Sequence, residues 1–486
     1  MFKPLLKFNH SFSSYFLLTL TLLLGIIGST MAFSLDLKEQ WPLIMVFLTL
    51  AGLFLLAAFN LQLAFLISLI LLPGFFALDN LTIISKTYDI SFEQNSYFSL
   101  VDIRLLGFLI TLILAILFLV KKRPDFFSAP LSRVMTSFVT FICISAFWSI
   151  GQETKFIQVS FFLLLALLYF IAYFSVKNLK SFYYLIGFIA FISIPALLMA
   201  YYQLLGGWLY EYSDLDIKRI TGPFEKPNQF GSLLLITSAL SIILLTALKE
   251  KMTRFYKNSL WLYLFFAFPI FILTFSRSAW IGLVVFLLIF ASQKKQLLFT
   301  TLVVGFIALI GMLSVDVTNE RIRGIFQRSM FDSVYAREEV WQLSFAKFKQ
   351  APLIGYGAGS FTEVIRDAKE SGGGTDNPHN DLVFFSVETG IIGVIGFIWL
   401  TLGFYYYLIK SHLLIRKQKT ASENGFLQII SLGMIALMVT ISTISFVESY
   451  YEGNFLYLIF WPLIGNWLAA ANYQINRSTS HLAKAD

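Results

Sequence analysis

His379, one of four histidines in the chain, lies in a setting suited to proton transfer. It belongs to the stretch "NPHNDLVFFSVETG", in which a polar loop meets an apolar run. An imidazole with an ordinary pKa of about 6.5 can accept a proton at neutral pH. Asp381 begins the predicted helix, where a carboxylate can bond free N–H groups, and Glu388 follows two turns later on the same face. A carboxylate inside a membrane is costly and is normally paired, so Glu388 has either a structural partner or a functional role.

Basic residues at the ends of two other apolar runs form a second group. In "DIKRITGPFEKPNQFG", Lys218, Arg219 and Lys226 precede one run, and in "LTFSRSAWIGL" Arg277 separates two runs. The guanidinium group presents fixed donors that match phosphate oxygens in pairs. These residues therefore indicate phosphate binding. Binding to lipid headgroups, or pairing with acids such as those at 214–216, is the alternative.

The composition shows which elements must position these groups. The chain of 486 residues is 57% hydrophobic and 13% charged, which is about half the charged share of a soluble domain. Runs long enough to cross a hydrocarbon core of about 30 Å fall at 13–33, 41–59, 61–78, 103–120, 132–149, 156–176, 181–204, 228–247, 258–275, 278–292, 296–314, 382–409, 425–446 and 454–472. We therefore predict an all-α polytopic transmembrane bundle of about 12–14 helices with one long loop that contains short helices.

Short Lys/Arg clusters between the runs set the orientation, since such clusters mark cytoplasmic loops. The first run is predicted to be a retained membrane helix, and both termini are predicted to be cytoplasmic. The outer side then receives five connections, at 79–102, 205–227, 276–277, 315–381 and 447–453. His379 becomes the one histidine that faces outward. The same clusters account for the net charge of +8, so no nucleic-acid partner is expected, and the single cysteine, Cys143, excludes an intramolecular disulfide.

Three regions follow from this pattern: N-terminal helices at 1–204, a core at 205–409 that includes the outer loop 315–381, and C-terminal helices with a cytoplasmic tail at 410–486. Within the outer loop, Val334, Trp341, Phe345 and Phe348 have helical spacing and predict an amphipathic helix that ends at Pro352. The three glycines of "GYGAGSF", at 355, 357 and 359, indicate a turn or a close approach of backbones.

Four stretches in order, "RITGPFEKPNQFG", "FSRSAWIG", "REEVWQLSFAKFKQAPLIGYGAGSF" and "PHNDLVFFSVETGIIGVIGF", resemble landmarks of the O-antigen ligase and polymerase family of bacterial inner-membrane proteins. The resemblance covers about 219–397. It implies transfer of a glycan from undecaprenyl pyrophosphate to an acceptor hydroxyl on the periplasmic face, with no metal and no other cofactor. It also implies that His379 is the base and that Arg219 and Arg277 hold the pyrophosphate.

Residues expected to support these three are Lys218, Lys226, Asn228, Arg337, Asp381 and Glu388, of which Arg337 matches an arginine of the family. Membrane lipids are expected partners, and the favoured acceptor is lipid A–core, as in a ligase. A second lipid-linked repeat unit, as in a polymerase, and a Ser or Thr of a protein remain alternatives.

A transporter or flippase of lipid-linked glycans is the alternative from another class. Transporter sites tend to lie near the bilayer midplane, often between internal repeats. Here the ionisable residues gather at the predicted outer edge of the membrane, which favours chemistry at its surface.

Overall fold

The structure is a computed structural model whose described residues belong almost entirely to the second of two compact units, Met1–Asp125 and Phe126–Asp486. The described residues are 113, 116, 117, 120, 124–151, 154–176, 178–207, 210–212, 217–224, 226–248, 252–292, 333–366, 377–417, 424–448 and 455–482. The predicted spans at 13–33, 41–59, 61–78 and 296–314, and most of 103–120, lie outside them. So do the acids at 214–216 and the glycines at 372–374.

The described part is a helical bundle, as predicted. Its helices are α1 (Ser132–Ser145), α2 (Thr154–Ser175), α3 (Leu179–Gly206), α4 (Pro227–Ala247), α5 (Arg254–Leu273), α6 (Arg277–Ala291), α7 (Ser333–Gln350), α8 (Phe361–Arg366), α9 (Asp381–Lys417), α10 (Asn424–Ile444) and α11 (Phe455–Leu482). All except α7 and α8 begin within a few residues of a predicted span. Apolar run length is what the bilayer constrains, so these starts could be located from the sequence.

Membrane-spanning character is clearest in α2, α4, α5, α9 and α10, which are long and apolar enough to cross a bilayer. The helices α1 and α6 are apolar but shorter. Helix α11 packs against α2 and α3, while α10 packs against α4, α6 and α9. Trp461 and Trp467 of α11 are fully buried in these contacts. By contrast, α5 exposes Trp261 and Phe265, which is the pattern of a helix side that faces lipid.

One small sheet interrupts the helices and was not predicted. The strands β1 (Tyr210–Tyr212) and β2 (Ile217–Arg219) pair antiparallel, with Tyr210 opposite Arg219. A strand of three residues is too short for alternation of apolar and polar residues to reveal it. Directly after β2, the amide of Ile220 donates to the carbonyl of Leu273 at 3.1 Å. The hairpin is thereby fastened to the connection between α5 and α6.

Helix α9 is kinked at Gly390, whose φ of 60° and ψ of −162° are not helical. The segment 352–357 fills the break. The amides of Ile391 and Ile392 donate to the carbonyls of residues 352 and 353, at 2.9 and 3.3 Å. The amides of residues 356 and 357 donate in turn to the carbonyls of Val387 and Glu388, at 3.0 and 2.7 Å. Backbone groups at membrane depth must be bonded within the protein, and this segment supplies the missing partners.

The glycines of "GYGAGSF" make this insertion possible, which confirms the predicted close approach. Gly355 has φ +63°, and a Cβ there would lie 2.4 Å from the carbonyl oxygen of Val387. At Gly357, with φ +95°, it would lie 2.4 Å from Cα of Ser149. A side chain at either position would collide with backbone, so the close contact requires glycine.

Helix α7 has the predicted extent and ends before Pro352, but its aromatic stripe is not the face that it buries. Val340 and Ser344 are the buried residues, while Trp341 and Phe345 are exposed. The helix packs against α9, and the buried and aromatic positions differ by one residue, which is about 100° around a helix. Spacing alone could not distinguish these two neighbouring faces.

Candidate functional site

His379 lies in the connection between α7–α8 and α9, on a backbone that is fixed from both sides. Its φ of +48° is uncommon for a residue other than glycine. The amide of His379 donates to Oδ1 of Asn377 at 2.7 Å. One residue earlier, the carbonyl of Pro378 accepts a hydrogen bond of 2.6 Å from the indole Nε1 of Trp341. Unusual backbone held by several bonds is typical of residues whose orientation matters.

Asn380 fixes the backbone on the C-terminal side of His379 by capping α9. Its Oδ1 accepts hydrogen bonds from the amides of Leu382 and Val383, at 2.9 and 3.2 Å. This is the usual way in which an asparagine satisfies free N–H groups at the start of a helix. Its Nδ2 donates to the carbonyl of Phe446 at 3.2 Å. The start of α9 is therefore tied to the segment that follows α10.

The imidazole of His379 contacts the carboxylate of Glu448. Nδ1 of His379 lies 3.2 Å from Oε1 of Glu448, and the two side chains are 15% and 7% exposed. An ionised carboxylate only accepts hydrogen bonds, so Nδ1 carries the proton and Nε2 is the basic nitrogen of the neutral ring. A carboxylate that fixes the tautomer of a histidine in this way also stabilises the imidazolium that forms when the ring takes a second proton.

Glu448 is held ionised by basic neighbours. Burial alone would raise its pKa, but the charges of His379, Arg337 and Lys226 outweigh burial and leave the pKa of Glu448 below its ordinary value. Nη2 of Arg337 lies 3.9 Å from Oε2, and Nη1 donates to the carbonyl of Val447 at 3.0 Å. Arg337 thereby anchors both the side chain and the backbone of this turn.

Asn228 connects Glu448 to Arg219. Its Nδ2 donates to Oε2 of Glu448 at 3.1 Å, and its Oδ1 accepts from Nη2 of Arg219 at 2.9 Å. Arg219 is buried, and its Nε donates to the carbonyl of Thr274 at 2.8 Å. A further bond of 3.4 Å joins Nη2 to the carbonyl of Phe275. A continuous chain of polar contacts thus runs from Arg219 through Asn228 and Glu448 to His379.

Arg277 follows the turn that Arg219 binds. The connection between α5 and α6 is a tight turn, as predicted, but it comprises residues 274–276 instead of 276–277. Phe275 has φ +48°, and Ser276 caps α6 by accepting from the amide of Ala279 at 3.4 Å. Arg277 is the first residue of α6 and is half-buried. Arg219 therefore bonds the turn at 274–276, and Arg277 directly follows the same turn.

The two predicted acids of α9 hold parts of the scaffold around the site. Asp381 is buried and accepts a hydrogen bond of 3.2 Å from the hydroxyl of Tyr457, and its amide donates to the carbonyl of Ser445. Oε1 of Glu388, also buried, accepts from the amide of Phe361 at 3.3 Å. Of the two interpretations of Glu388, the structure shows a structural partner, the backbone of Phe361, which joins α9 to the start of α8.

Lys218 and Lys226 complete the set of predicted residues. The backbone of Lys218 belongs to β2 and pairs with Glu211, while its side chain lies outside the described part. Lys226 precedes α4 and contributes positive charge near Glu448. Among the described residues, no group of three or more His, Cys, Asp or Glu side chains is placed to hold a metal ion.

Glu448 is the central residue that sequence reasoning missed. The available signal was an acid in the connection 447–453, which the charge pattern places on the same side as His379. Nothing in local spacing joins the two, since 69 positions separate them. Asn380 and the indole of Trp341 were also missed as groups that fix the histidine.

Residues 262–398 of the chain match a family model described as O-antigen ligase. The matched segment contains Arg277, Arg337, His379 and the kink at Gly390, whereas Arg219 and Glu448 lie outside it. A search of curated protein sequences finds no significant match. The resemblance predicted from the quoted stretches is thereby confirmed for this segment, which supports a glycosyltransferase of the ligase or polymerase type.

Proposed function

We propose that this protein, whose residues 262–398 match the O-antigen ligase family, transfers a glycan from undecaprenyl pyrophosphate to a hydroxyl group of lipid A–core. The proposed location is the periplasmic face of the bacterial inner membrane, with both termini in the cytoplasm. The observation that carries the proposal is the contact between His379 and the ionised, buried Glu448. This contact leaves a basic imidazole nitrogen in a site otherwise rich in cations.

In the proposed reaction, Nε2 of His379 accepts the proton of the acceptor hydroxyl as its oxygen attacks the anomeric carbon. The new carbon–oxygen bond forms while the bond from that carbon to the phosphate oxygen breaks. Undecaprenyl pyrophosphate leaves with the bonding electron pair, and a single displacement inverts the anomeric configuration. The proton held by His379 is later released to solvent, while Glu448 stabilises the imidazolium in between.

The leaving group needs charge stabilisation more than it needs a proton. Arg277 is proposed as the direct ligand of the pyrophosphate, because it is half-buried at the helix start and its guanidinium matches phosphate oxygens in pairs. Cationic donors that are already in place before the reaction can supply several kcal/mol of such stabilisation, on the order of 3 kcal/mol for one donor.

Arg219 is proposed to act in the same phosphate site from behind the turn. Its guanidinium donates to the carbonyls of Thr274 and Phe275 and to the amide oxygen of Asn228. These bonds hold the turn from which Arg277 projects, so Arg219 positions the ligand of the pyrophosphate and adds positive charge near the anion.

The test is to delete the gene and analyse lipopolysaccharide beside extracted lipid-linked glycan. A ligase deletion leaves long polymer stranded on the carrier lipid and lipid A–core without polymer. Complementation by the intact chain and by a His412→Ala variant should restore attachment, because His412 lies at the far end of α9 and bonds Ser431. Complementation by His379→Ala should not restore it.

Other products of the deletion would contradict the ligase assignment. Single repeat units on core or carrier would show a polymerase. Unchanged lipopolysaccharide with under-glycosylated protein would show a protein transferase. A purified chain that moves a labelled lipid-linked glycan across vesicles without forming a transfer product would show a transporter.

A further inference from the structure

Helix α7 presents three different faces. Val340 and Ser344 are buried on the side that packs against α9. Next to that side, Trp341 and Phe345 are 39% and 58% exposed, and Phe348 continues the stripe at helical spacing. Gln342 and Lys349, on the third face, are exposed and polar. A water-facing helix would not normally carry a stripe of aromatic residues between its buried and its polar side.

The aromatic stripe, Trp341–Phe345–Phe348, is followed along the chain by other exposed apolar side chains. Leu353 and Ile354, five and six residues after Phe348, are also exposed, Leu353 at 65%. Their segment is bonded to the kink of α9. Immediately after the kink, α9 exposes Ile391, Ile395 and Trp399.

This part of α9 is membrane-spanning in length and composition. An apolar face of such a helix that is not covered by protein is covered by acyl chains. The bilayer therefore reaches the level of the kink, and the segment 352–357 lies at its edge. Helix α7 ends just before that segment, so the C-terminal end of α7 lies at the membrane surface.

We propose that α7 lies in the lipid–water interface of the bilayer, with the aromatic stripe and Leu353 in contact with lipid. Interfacial helices characteristically bury aromatic and leucine side chains to about 5–10 Å below the headgroups and keep basic residues on the polar side. Lys349 is the exposed basic residue in the last turn of α7. Nζ of Lys349 lies 4.5 Å from the ring centre of Phe345, so the stem of this lysine follows the ring and its ammonium group can reach anionic headgroups.

This interface would set the position of the proposed base. Trp341 belongs to the stripe, and its indole donates to the carbonyl of Pro378, next to His379. Immersion of α7 in the interface thus holds the histidine loop at a fixed depth. That depth is where the pyrophosphate of a lipid-linked donor lies, since its polyprenyl chain occupies the hydrocarbon core.

The test measures membrane contact directly and needs no catalytic activity. Cys143 is first replaced in Cys143→Ser, and a nitroxide is attached at Phe345→Cys or, as the matched control on the same helix, at Gln342→Cys. The proteins are placed in lipid nanodiscs, and the collision rates of the label with oxygen and with a water-soluble nickel chelate are compared. Oxygen concentrates in lipid, so the ratio of oxygen to nickel collisions should be several-fold higher at position 345 than at position 342.

Two results would overturn the proposal. Equal ratios at the two positions would mean that α7 is surrounded by water. Protection of the label at 345 from both reagents would mean that protein covers the stripe, either a second copy of this chain or another partner. A third label at Leu353→Cys keeps the test decisive if the Phe345 variant is poorly folded, since the bilayer should give it the same high ratio. Because no transfer is measured, failure of the proposed function would leave this result unchanged.

Discussion

Nδ1 of His379 lies 3.2 Å from Oε1 of Glu448, and this contact joins the start of α9 to the turn that follows α10. Glu448 lies 69 positions after His379, so only the fold brings this turn to the proposed base. Arg337 and Asn228 bind the second oxygen of the same carboxylate. One buried acid thus collects side chains from three regions of the chain around the proposed base.

Replacing Glu448 by glutamine should lower the rate constant for transfer by at least about 10-fold, because an amide neither fixes the imidazole tautomer nor stabilises the imidazolium. Glu338→Gln is the control, because Glu338 is exposed on α7, and it should leave the rate constant unaltered. A parental rate constant in Glu448→Gln would show that Glu448 does not act on the imidazole.

Arg277→Lys should impair transfer by roughly 10- to 100-fold, because a charged hydrogen bond contributes about 1.5–3 kcal/mol and lysine cannot provide the paired donors. The effect should appear as weaker competition by inorganic pyrophosphate, measured as its inhibition constant. Arg254→Lys is the matched control, since Arg254 also begins an apolar helix but lies at the other end of α5. Equal inhibition by pyrophosphate in Arg277→Lys and the parent would remove Arg277 from the phosphate site.

Gly355→Ala should destabilise the protein by about 1–3 kcal/mol or more, because φ is positive there and the added Cβ meets the carbonyl oxygen of Val387. The melting temperature in detergent should fall, and the proposed transfer should weaken as α9 loses the partners of its kink. Gly187→Ala is the control, since a Cβ at that helical position meets nothing within 4 Å. Alanine there should be neutral or stabilising by up to about 1 kcal/mol. Similar melting temperatures for the two variants would refute the packing argument.

The stability of the described bundle should depend on pH through Glu448. The pKa of this group is lowered in the folded protein from its ordinary value of 4.5. Its contribution to the free energy of unfolding is therefore present above about pH 4.5 and is lost as the pH falls through the lower folded-state pKa. Melting temperatures measured between pH 7 and pH 3.5 should fall more steeply for the parent than for Glu448→Gln. Parallel curves would show that the ion pairs around Glu448 contribute nothing to folding.

In the part of the chain that the structure describes, the starts of the apolar helices could be predicted from the sequence for physical reasons that are local. A bilayer demands long apolar runs, so helices such as α4 and α10 are visible in composition alone. Arg277 and His379 were identifiable because a cation or an imidazole at the edge of such a run needs an explanation. The tight turn before Arg277 followed from the near absence of residues between two runs.

Contacts between residues that are distant along the chain could not be predicted from the sequence. The contact of His379 with Glu448 depends on how α9 and α10 lie beside each other, which no local pattern encodes. The kink at Gly390 needs the segment 352–357 as its partner, and that segment precedes it by more than thirty residues. The aromatic stripe of α7 was visible in its spacing, but only the packing against α9 shows that Val340 and Ser344 form the buried side.

The most direct test of the central proposal is a transfer assay in nanodiscs with a synthetic polyprenyl-pyrophosphate glycan as donor and lipid A–core as acceptor. His379→Ala should still fold and bind the donor but transfer about 10² to 10⁴ times more slowly, while His412→Ala keeps the parental rate. Transfer by His379→Ala at the parental rate would contradict the account, because no other group in it is assigned to take the proton of the acceptor hydroxyl.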